Sequence, residues 1–403
     1  MTRIALISDI HFGKFSRTAE FSVPGEVIVD ENTGGEPLKE SMVSLLKSEN
    51  IEYLCIAGDL TSLGNPQEFF FCEKMILEIA EEIGIPQANI LVGLGNHDID
   101  WNISELYNKF DLSNPDFPRD LVQNKYQNIA ARASEVNLAS ISAPQKSGPA
   151  PFTGIVENDS FVMFVLNTGW CCTKAQAFSH GKLDEIQLKW FETQAQEYRD
   201  SSKWKIILMH HHPFNYQYHV PAIDISMIEE GSALLDIAGK NGFHLILHGH
   251  RHHPKAETQL KNGWINPITF VCAGSFAVNA QHRGGGSIPN TLHIIELTEN
   301  AGVLKLKNFQ YSPAQGWIPF TSNSPETPLD KTMMFGKLFS RETIDENIKK
   351  LSIGKELNWD DLDESLKFMS FNELNDRIEK TFDGTCKKIG SFPENIVLLG
   401  RGE

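Results

Sequence analysis

Apolar residues gather in short, nearly continuous runs: Ile4 to Ile7, Tyr53 to Ala57, Ile90 to Leu94, Phe161 to Leu166, Ile206 to Met209, Phe243 to Leu247 and Ile268 to Ala273. Runs this short and this rich in Ile, Val, Leu and Phe predict strands buried on both faces. Between them, Glu68 to Ile83 and Leu183 to Tyr198 carry apolar residues at helical spacing. Strand alternating with helix predicts an α/β layered fold.

Three connections, Phe12 to about Pro37, Ile99 to about Thr153 and Trp170 to about Lys182, are longer than a compact sheet requires. Each begins where a predicted strand ends, the place where α/β folds set their ligand sites, so these loops are expected to wall a cleft. After about Tyr311 the texture changes. Pro313, Pro319, Pro325 and Pro328 interrupt a Ser/Asn-rich stretch that cannot sustain a helix. The expected organisation is a main domain over 1–311, a linker or strap over 312–339, and a small, mostly helical appendage over 340–403. In the last part, Ser340 to Leu351 and Ser370 to Phe382 read as helices, the second opening on the capping box Ser370-Phe-Asn-Glu373.

Composition narrows the class. The 403 residues carry 36 basic against 52 acidic side chains, a net charge of −16, which argues against binding to nucleic acid or anionic membranes through overall charge. Six cysteines without C-x-x-C spacing, several inside apolar runs such as Val271-Cys272-Ala273, predict buried free thiols in a reducing compartment. No apolar stretch approaches the roughly 20 residues that span a bilayer, and the first strand leaves no room for a signal sequence, so a cytoplasmic protein is expected.

The chemistry sits where the apolar runs stop. Five motifs follow them: Asp9-Ile-His11 with Gly13, Gly58-Asp59, Gly95-Asn96-His97-Asp98, His210-His211-His212-Pro213, and Gly249-His250-Arg251-His252. A sheet with those strands side by side would bring all five to one edge. Carboxylate, imidazole and amide from five strand ends are what a binuclear transition-metal site needs, since imidazole suits Zn, Fe and Mn and a carboxylate can bridge two ions. Singly each motif is an ordinary turn. Together, in this order, they form a constellation.

That series, D-x-H, G-D, G-N-H-D/E, H and G-H-x-H, resembles the calcineurin-like metallophosphoesterase superfamily over about residues 1–310, with no ligand position substituted. The resemblance implies a four-layer αββα sandwich of two mixed β-sheets, a feature that periodicity alone does not distinguish from one doubly wound sheet. It implies two divalent metal ions, Mn, Fe or Zn: Asp9, His11 and His252 on one, Asn96, His211 and His250 on the other, and Asp59 bridging both. His211 is selected because the family form of the fourth motif is H-x-P and Pro213 lies two residues later. A metal-bound hydroxide would then attack phosphorus, with His97 protonating the leaving oxygen and Asp98 orienting that imidazole. Two divalent ions against Asp9 and Asp59 leave about +2 at the site, enough to attract phosphate to an acidic protein.

Arg251, between two predicted ligands, is a candidate for contacting a substrate phosphate. His180, His253 and His282 read as incidental loop residues, and Trp101 as a candidate wall for an organic leaving group. The Ser/Thr protein phosphatases extend the second motif to G-D-x-V-D-R-G and the third to R-G-N-H-E. Here those stretches are Gly58-Asp-Leu-Thr-Ser-Leu-Gly64 and Gly93-Leu-Gly-Asn-His-Asp98, without either arginine. The fourth motif is similar to the phosphodiesterase branch, so a small organic phosphodiester or nucleotide is the expected substrate. A DNA/RNA nuclease and a non-catalytic metal-binding scaffold are the alternatives. The first lacks a strongly basic run and the second is expected to show lost ligands. A protein partner is expected, if anywhere, at the appendage, and no membrane contact is expected.

Overall fold

The computed structural model describes residues 1–25, 36–99, 146–150, 152–169, 171–172, 180–215, 226–283, 288–299, 301–320, 329–351, 356–357, 362–382, 386–389 and 396–400. Two seven-stranded sheets lie face to face. In the first, β1 (Thr2–Ile7), β2 (Tyr53–Ala57) and β3 (Ile90–Gly93) run parallel. In the second, β4 (Lys146–Ser147), β5 (Gly154–Glu157), β6 (Phe161–Val165), β7 (Trp204–Leu208), β8 (Leu245–His248), β9 (Lys255–Gln259) and β10 (Ile268–Cys272) take the order β4-β5-β6-β7-β8-β10-β9. Its centre, β6 to β7 to β8 to β10, is parallel. The chain then returns to the first sheet as β11 (Thr291–Leu297), antiparallel to β1, followed by β12 (Leu304–Ser312).

Alternation along each strand sorts the layers. Ile4, Leu6, Cys55, Ala57 and Leu91 of the first sheet meet Met163, Val165, Ile206, Leu208, Leu245 and Leu247 of the second in one core between them. The opposite parity, Ala5, Ile7, Leu54 and Ile56, packs outward under α1 (Leu38–Ser48) and α2 (Pro66–Ile83). On the far side Phe164, Ile207 and Ile246 pack under α3 (Glu185–Glu197) and α4 (Gly231–Lys240). The result is a four-layer αββα sandwich, and its central strands are buried on both faces because each sheet is covered twice. Burying each such side chain contributes roughly 1.5–3 kcal/mol. Sequence also sets the helix ends: α2 opens on Asn65, whose side chain accepts from the Glu68 N–H, has Pro66 at its first position and closes on Gly84 at φ 80°.

The stretch read as a linker or strap lies along the edge of the first sheet. Within 312–339, β13 (Gly316–Pro319) and β14 (Thr332–Phe335) both pair with β12 and widen the first sheet. Proline rules out a helix but not an edge strand, and Pro319 closes β13 opposite Phe309. Beyond it, α5 (Arg341–Lys349), α6 (Glu364–Lys367) and α7 (Phe371–Thr381) enclose a core of their own built on Ile344, Ile348, Leu366, Leu374 and Ile378. Ser340 and Ser370 cap α5 and α7 as the sequence predicts. The appendage also holds a three-stranded sheet, β15 (Glu356–Leu357), β16 (Cys386–Ile389) and β17 (Ile396–Gly400), absent from the helical expectation. Cys55, Cys72, Cys171, Cys172 and Cys272 are buried thiols. Among the described residues no helix is long and apolar enough to cross a membrane.

Candidate metal centre

Every one of the five motifs begins within three residues of a strand end: Asp9 after β1, Asp59 after β2, Asn96 after β3, His210 after β7 and His250 after β8. The first three come from one sheet and the last two from the other, so the cluster straddles the seam between them. Among the described residues, three groups of acidic and imidazole side chains have ligand atoms within 4.8 Å of one another: Asp9 with His11 and His252, His11 with Asp59 and His97, and Asp59 with His210 and His250. Asp59 belongs to two of the three.

The backbone is held in an uncommon shape to achieve this. Among the described residues, seven non-glycine residues have positive φ, and five of them are Asp9 (52°), His11 (47°), Asp59 (52°), His250 (73°) and His252 (56°). Left-handed backbone at such residues costs on the order of 1–3 kcal/mol each and persists only where neighbours over-determine it. Cross-strand hydrogen bonds do so here: Asp9 N–H to Gly58 O at 3.0 Å, His11 N–H to Asp59 O at 3.0 Å and Gly249 N–H to His210 O at 3.0 Å. Two glycines are required by close approach. A Cβ on Gly58 would stand 2.5 Å from His210 Nδ1, and one on Gly95 would stand 2.1 Å from Asp59 Oδ1.

Most of these side chains are oriented by a further contact. Asp9 Oδ2 accepts from His250 N–H at 3.1 Å, and Oδ1 faces His252 Nε2 at 3.0 Å. Asp59 Oδ1 accepts from His97 N–H at 2.8 Å, while Oδ2 lies 3.2 Å from His210 Nε2 and 3.4 Å from His11 Nε2. Three imidazoles bond a backbone carbonyl through Nδ1: His210 to Ala57 O at 2.7 Å, His252 to His282 O at 2.6 Å and His97 to Ser62 O at 2.8 Å. Their Nε2 atoms therefore turn inward, the arrangement metal-binding histidines commonly show.

The donor set fits divalent cations. Around His210 Nε2 stand Asn96 Oδ1 at 3.1 Å, His250 Nδ1 at 3.2 Å and Asp59 Oδ2, an assembly dominated by acceptors. Buried His11 Nε2 makes no hydrogen bond. Burial pushes the Asp59 carboxyl up, but His210, His97 and His11 outweigh it and hold the group well below the usual carboxylate range. Burial pushes His210 down, yet Asp59 raises it to about 9. A proton on His210 serves one of these contacts; the set as a whole has the chemistry of a cation cradle.

The fourth motif departs from the expectation. His210, not His211, reaches the cluster. Trp204, Ile206 and Leu208 of β7 face the other sheet, and residue 210 continues that parity. His211 has the opposite parity: its Nδ1 lies 2.8 Å from Thr168 Oγ1 and its ring packs over Gly181. Asp98 also differs from its expected role. It accepts from Thr61 N–H at 3.1 Å and Gly95 N–H at 2.9 Å, bracing the two turns that present Asp59 and Asn96, while the carbonyl of Ser62 orients His97. Burial and then the Asp59 charge push the Asp98 carboxyl up to about 7.

A cleft of about 470 Å³ opens over the cluster, lined among others by His97, Asn96, Arg251, His253, His282 and Phe15. Arg251 donates from Nη1 to Ser226 Oγ at 2.9 Å. His253 and His282, read from sequence as incidental, are part of this wall, and so is Phe15, which no motif marks. Trp101 lies outside the described residues.

Residues 2–254 match the calcineurin-like phosphoesterases. The chain belongs to that family. Its members are typically dinuclear-metal phosphoric ester hydrolases, and this phosphoesterase carries the clustered candidate ligands described above. Among solved structures it is similar to a dimetal phosphatase from Danio rerio, at 12% identity and a TM-score of 0.43 over 76% of this chain and 95% of that one. Purple acid phosphatase PPD1 from yellow lupin (Lupinus luteus) seeds is similar at 13% identity and 0.49, over 83% and 53%. Vps29 from Chaetomium thermophilum follows at 10% and 0.34, over 84% and 97%. The assignment rests on the family match rather than on these likenesses. No curated protein matches the chain.

Proposed function

We propose that this phosphoesterase hydrolyses a small organic phosphodiester or nucleotide at the seam between its sheets. The observation that carries the reading is the convergence of imidazole nitrogens and carboxylate oxygens on one point, with His97, His210 and His252 fixed from behind by backbone carbonyls. In this reading Asp9, His11 and His252 hold one divalent ion, Asn96, His210 and His250 hold the second, and Asp59 is shared between them. Such ions, Mn, Fe or Zn, supply Lewis-acid polarisation of the phosphoryl oxygens and activation of water.

The chain's own residues supply the rest. His97, anchored at Nδ1 by Ser62, presents Nε2 to the cleft and gives a proton to the leaving oxygen as the P–O bond breaks. The water that adds to phosphorus releases its proton to solvent. Arg251, steadied by Ser226 and lining the cleft, is the candidate contact for a nonbridging phosphate oxygen. The positions that carry arginine in the protein phosphatase pattern are here Leu63 and Leu94, which bring no charge to the site. Fewer cations beside the metals suit a singly charged diester better than a doubly charged monoester. A cleft of about 470 Å³ is the size of a small organic ligand.

The test is a pair of rates on a model aryl phosphodiester and its matching monoester after manganese reconstitution. A marked diester preference is expected; monoester preference overturns the substrate class, and failure on both with two metals bound overturns the hydrolase. His97→Ala is expected to slow esters with poor leaving groups by about 10²-fold or more while good leaving groups lose far less. Equal losses on both would remove its role as acid.

A further inference from the structure

We propose that Phe15 and His282 form an aromatic shelf beside His97 that selects substrates whose leaving group carries a planar ring. The inference rests on the hydrolytic reading above and goes on to name the leaving group. The Phe15 and His282 rings lie 4.3 Å apart between centroids at 38°, and Phe15 stands edge-on to His97 at 5.9 Å. Both line the cleft. A proton passing from His97 to a leaving oxygen therefore delivers that alcohol next to these two rings.

The shelf is built rather than incidental. The Phe15 N–H donates to Ser62 Oγ at 3.1 Å, and the carbonyl of the same Ser62 holds His97, so one residue sets the spacing of shelf and acid. Asn279 N–H donates to Phe15 O at 2.9 Å and Asn279 Oδ1 lies 2.8 Å from His282 Nδ1, fixing the second ring against the first. The carbonyl of His282 in turn holds His252. Exposed Lys14 lies over the Phe15 ring at 5.0 Å, a place an incoming ring takes by displacing the ammonium group into solvent. Offset or edge-to-face contact with two fixed rings favours a planar partner over an alkyl group of equal bulk.

The experiment uses the full chain reconstituted with manganese and three methyl phosphodiesters. Their leaving groups are phenol, hexafluoroisopropanol, which is of similar acidity but not planar, and uridine through its 5′ oxygen. Phe15→Ala is expected to lower kcat/KM for a ring-bearing ester relative to the hexafluoroisopropyl ester by about tenfold, chiefly through KM, and Phe15→Trp to restore it. A loss confined to the phenyl ester places the ring on the leaving oxygen. A loss confined to the uridine ester places it one sugar away; either supports the shelf. An unchanged ratio for both, in a variant with wild-type circular dichroism, overturns it. Calorimetry with phenylphosphonate and propylphosphonate separates this from the underlying function. Wild type is expected to bind the phenyl compound about tenfold more tightly and Phe15→Ala to bind both alike. Equal affinities in wild type overturn the shelf even if hydrolysis is found, while absence of hydrolysis with the phenyl preference intact overturns only the hydrolase.

Discussion

The two sheets contribute unequally to the cluster. The first supplies the carboxylates, the amide and the proposed proton donor: Asp9, Asp59, Asn96 and His97, with His11. The second supplies His210, His250 and His252, and with them most of the imidazole nitrogen. Neither half holds three ligands of the second proposed metal, because His210 and His250 come from β7 and β8 while Asp59 and Asn96 come from β2 and β3. The difference teaches that the centre is a product of sheet-on-sheet packing, and that the core of Leu6, Ala57, Leu208 and Leu247 is what sets the distance between its halves.

The sharpest break is at Asp59, the carboxylate common to two groups. Asp59→Asn is expected to abolish turnover and lower the metal content measured by atomic emission, beyond the roughly 10–100-fold effect typical of an outer-sphere partner. Normal activity with two metals bound would refute its shared role. The next test distinguishes neighbours: His210→Ala should weaken metal binding at least about tenfold more than His211→Ala, because only His210 lies on the face of β7 that meets the first sheet. Equal losses would sink the assignment. The smallest effect comes from loosening the seam itself. Leu208, fully buried between the sheets, should cost about 2–5 kcal/mol when cut to Ala, read from urea unfolding. A cost of under about 1 kcal/mol would show that the intersheet core tolerates collapse there.

Much of this was legible in the chain. The seven apolar runs all contain strands, and the motifs lie at strand ends because polar ligands cannot interrupt a strand buried on both faces. The pairing of two sheets was not legible from periodicity: a buried strand reads the same in one doubly wound sheet or in two stacked ones, so the resemblance supplied it. His210 was hidden by the motif rule that favoured His211, although the parity of Trp204, Ile206 and Leu208 held the signal. The role of Ser62 was invisible because it acts on His97 through a backbone carbonyl, which every residue type possesses. Phe15 gave no sign for a similar reason: an aromatic residue in a loop is ambiguous until its neighbours are known. Pro319 left the stretch around it open between linker and strap, since excluding a helix does not say whether the chain pairs with a sheet edge.

The position of β1 also governs how the molecule can be made. It leaves the ribosome long before one of its two neighbours, β11, which pairs Leu297 with Thr2. At roughly 5–20 residues per second, the interval between finishing β2 and finishing β11 is about 10–50 s. During that time one edge of a strand that is largely buried in the native fold has no partner, and with it the two candidate metal ligands that follow β1. Translation speed and chaperone access over this interval, more than final stability, should therefore set the yield of active enzyme from a given message.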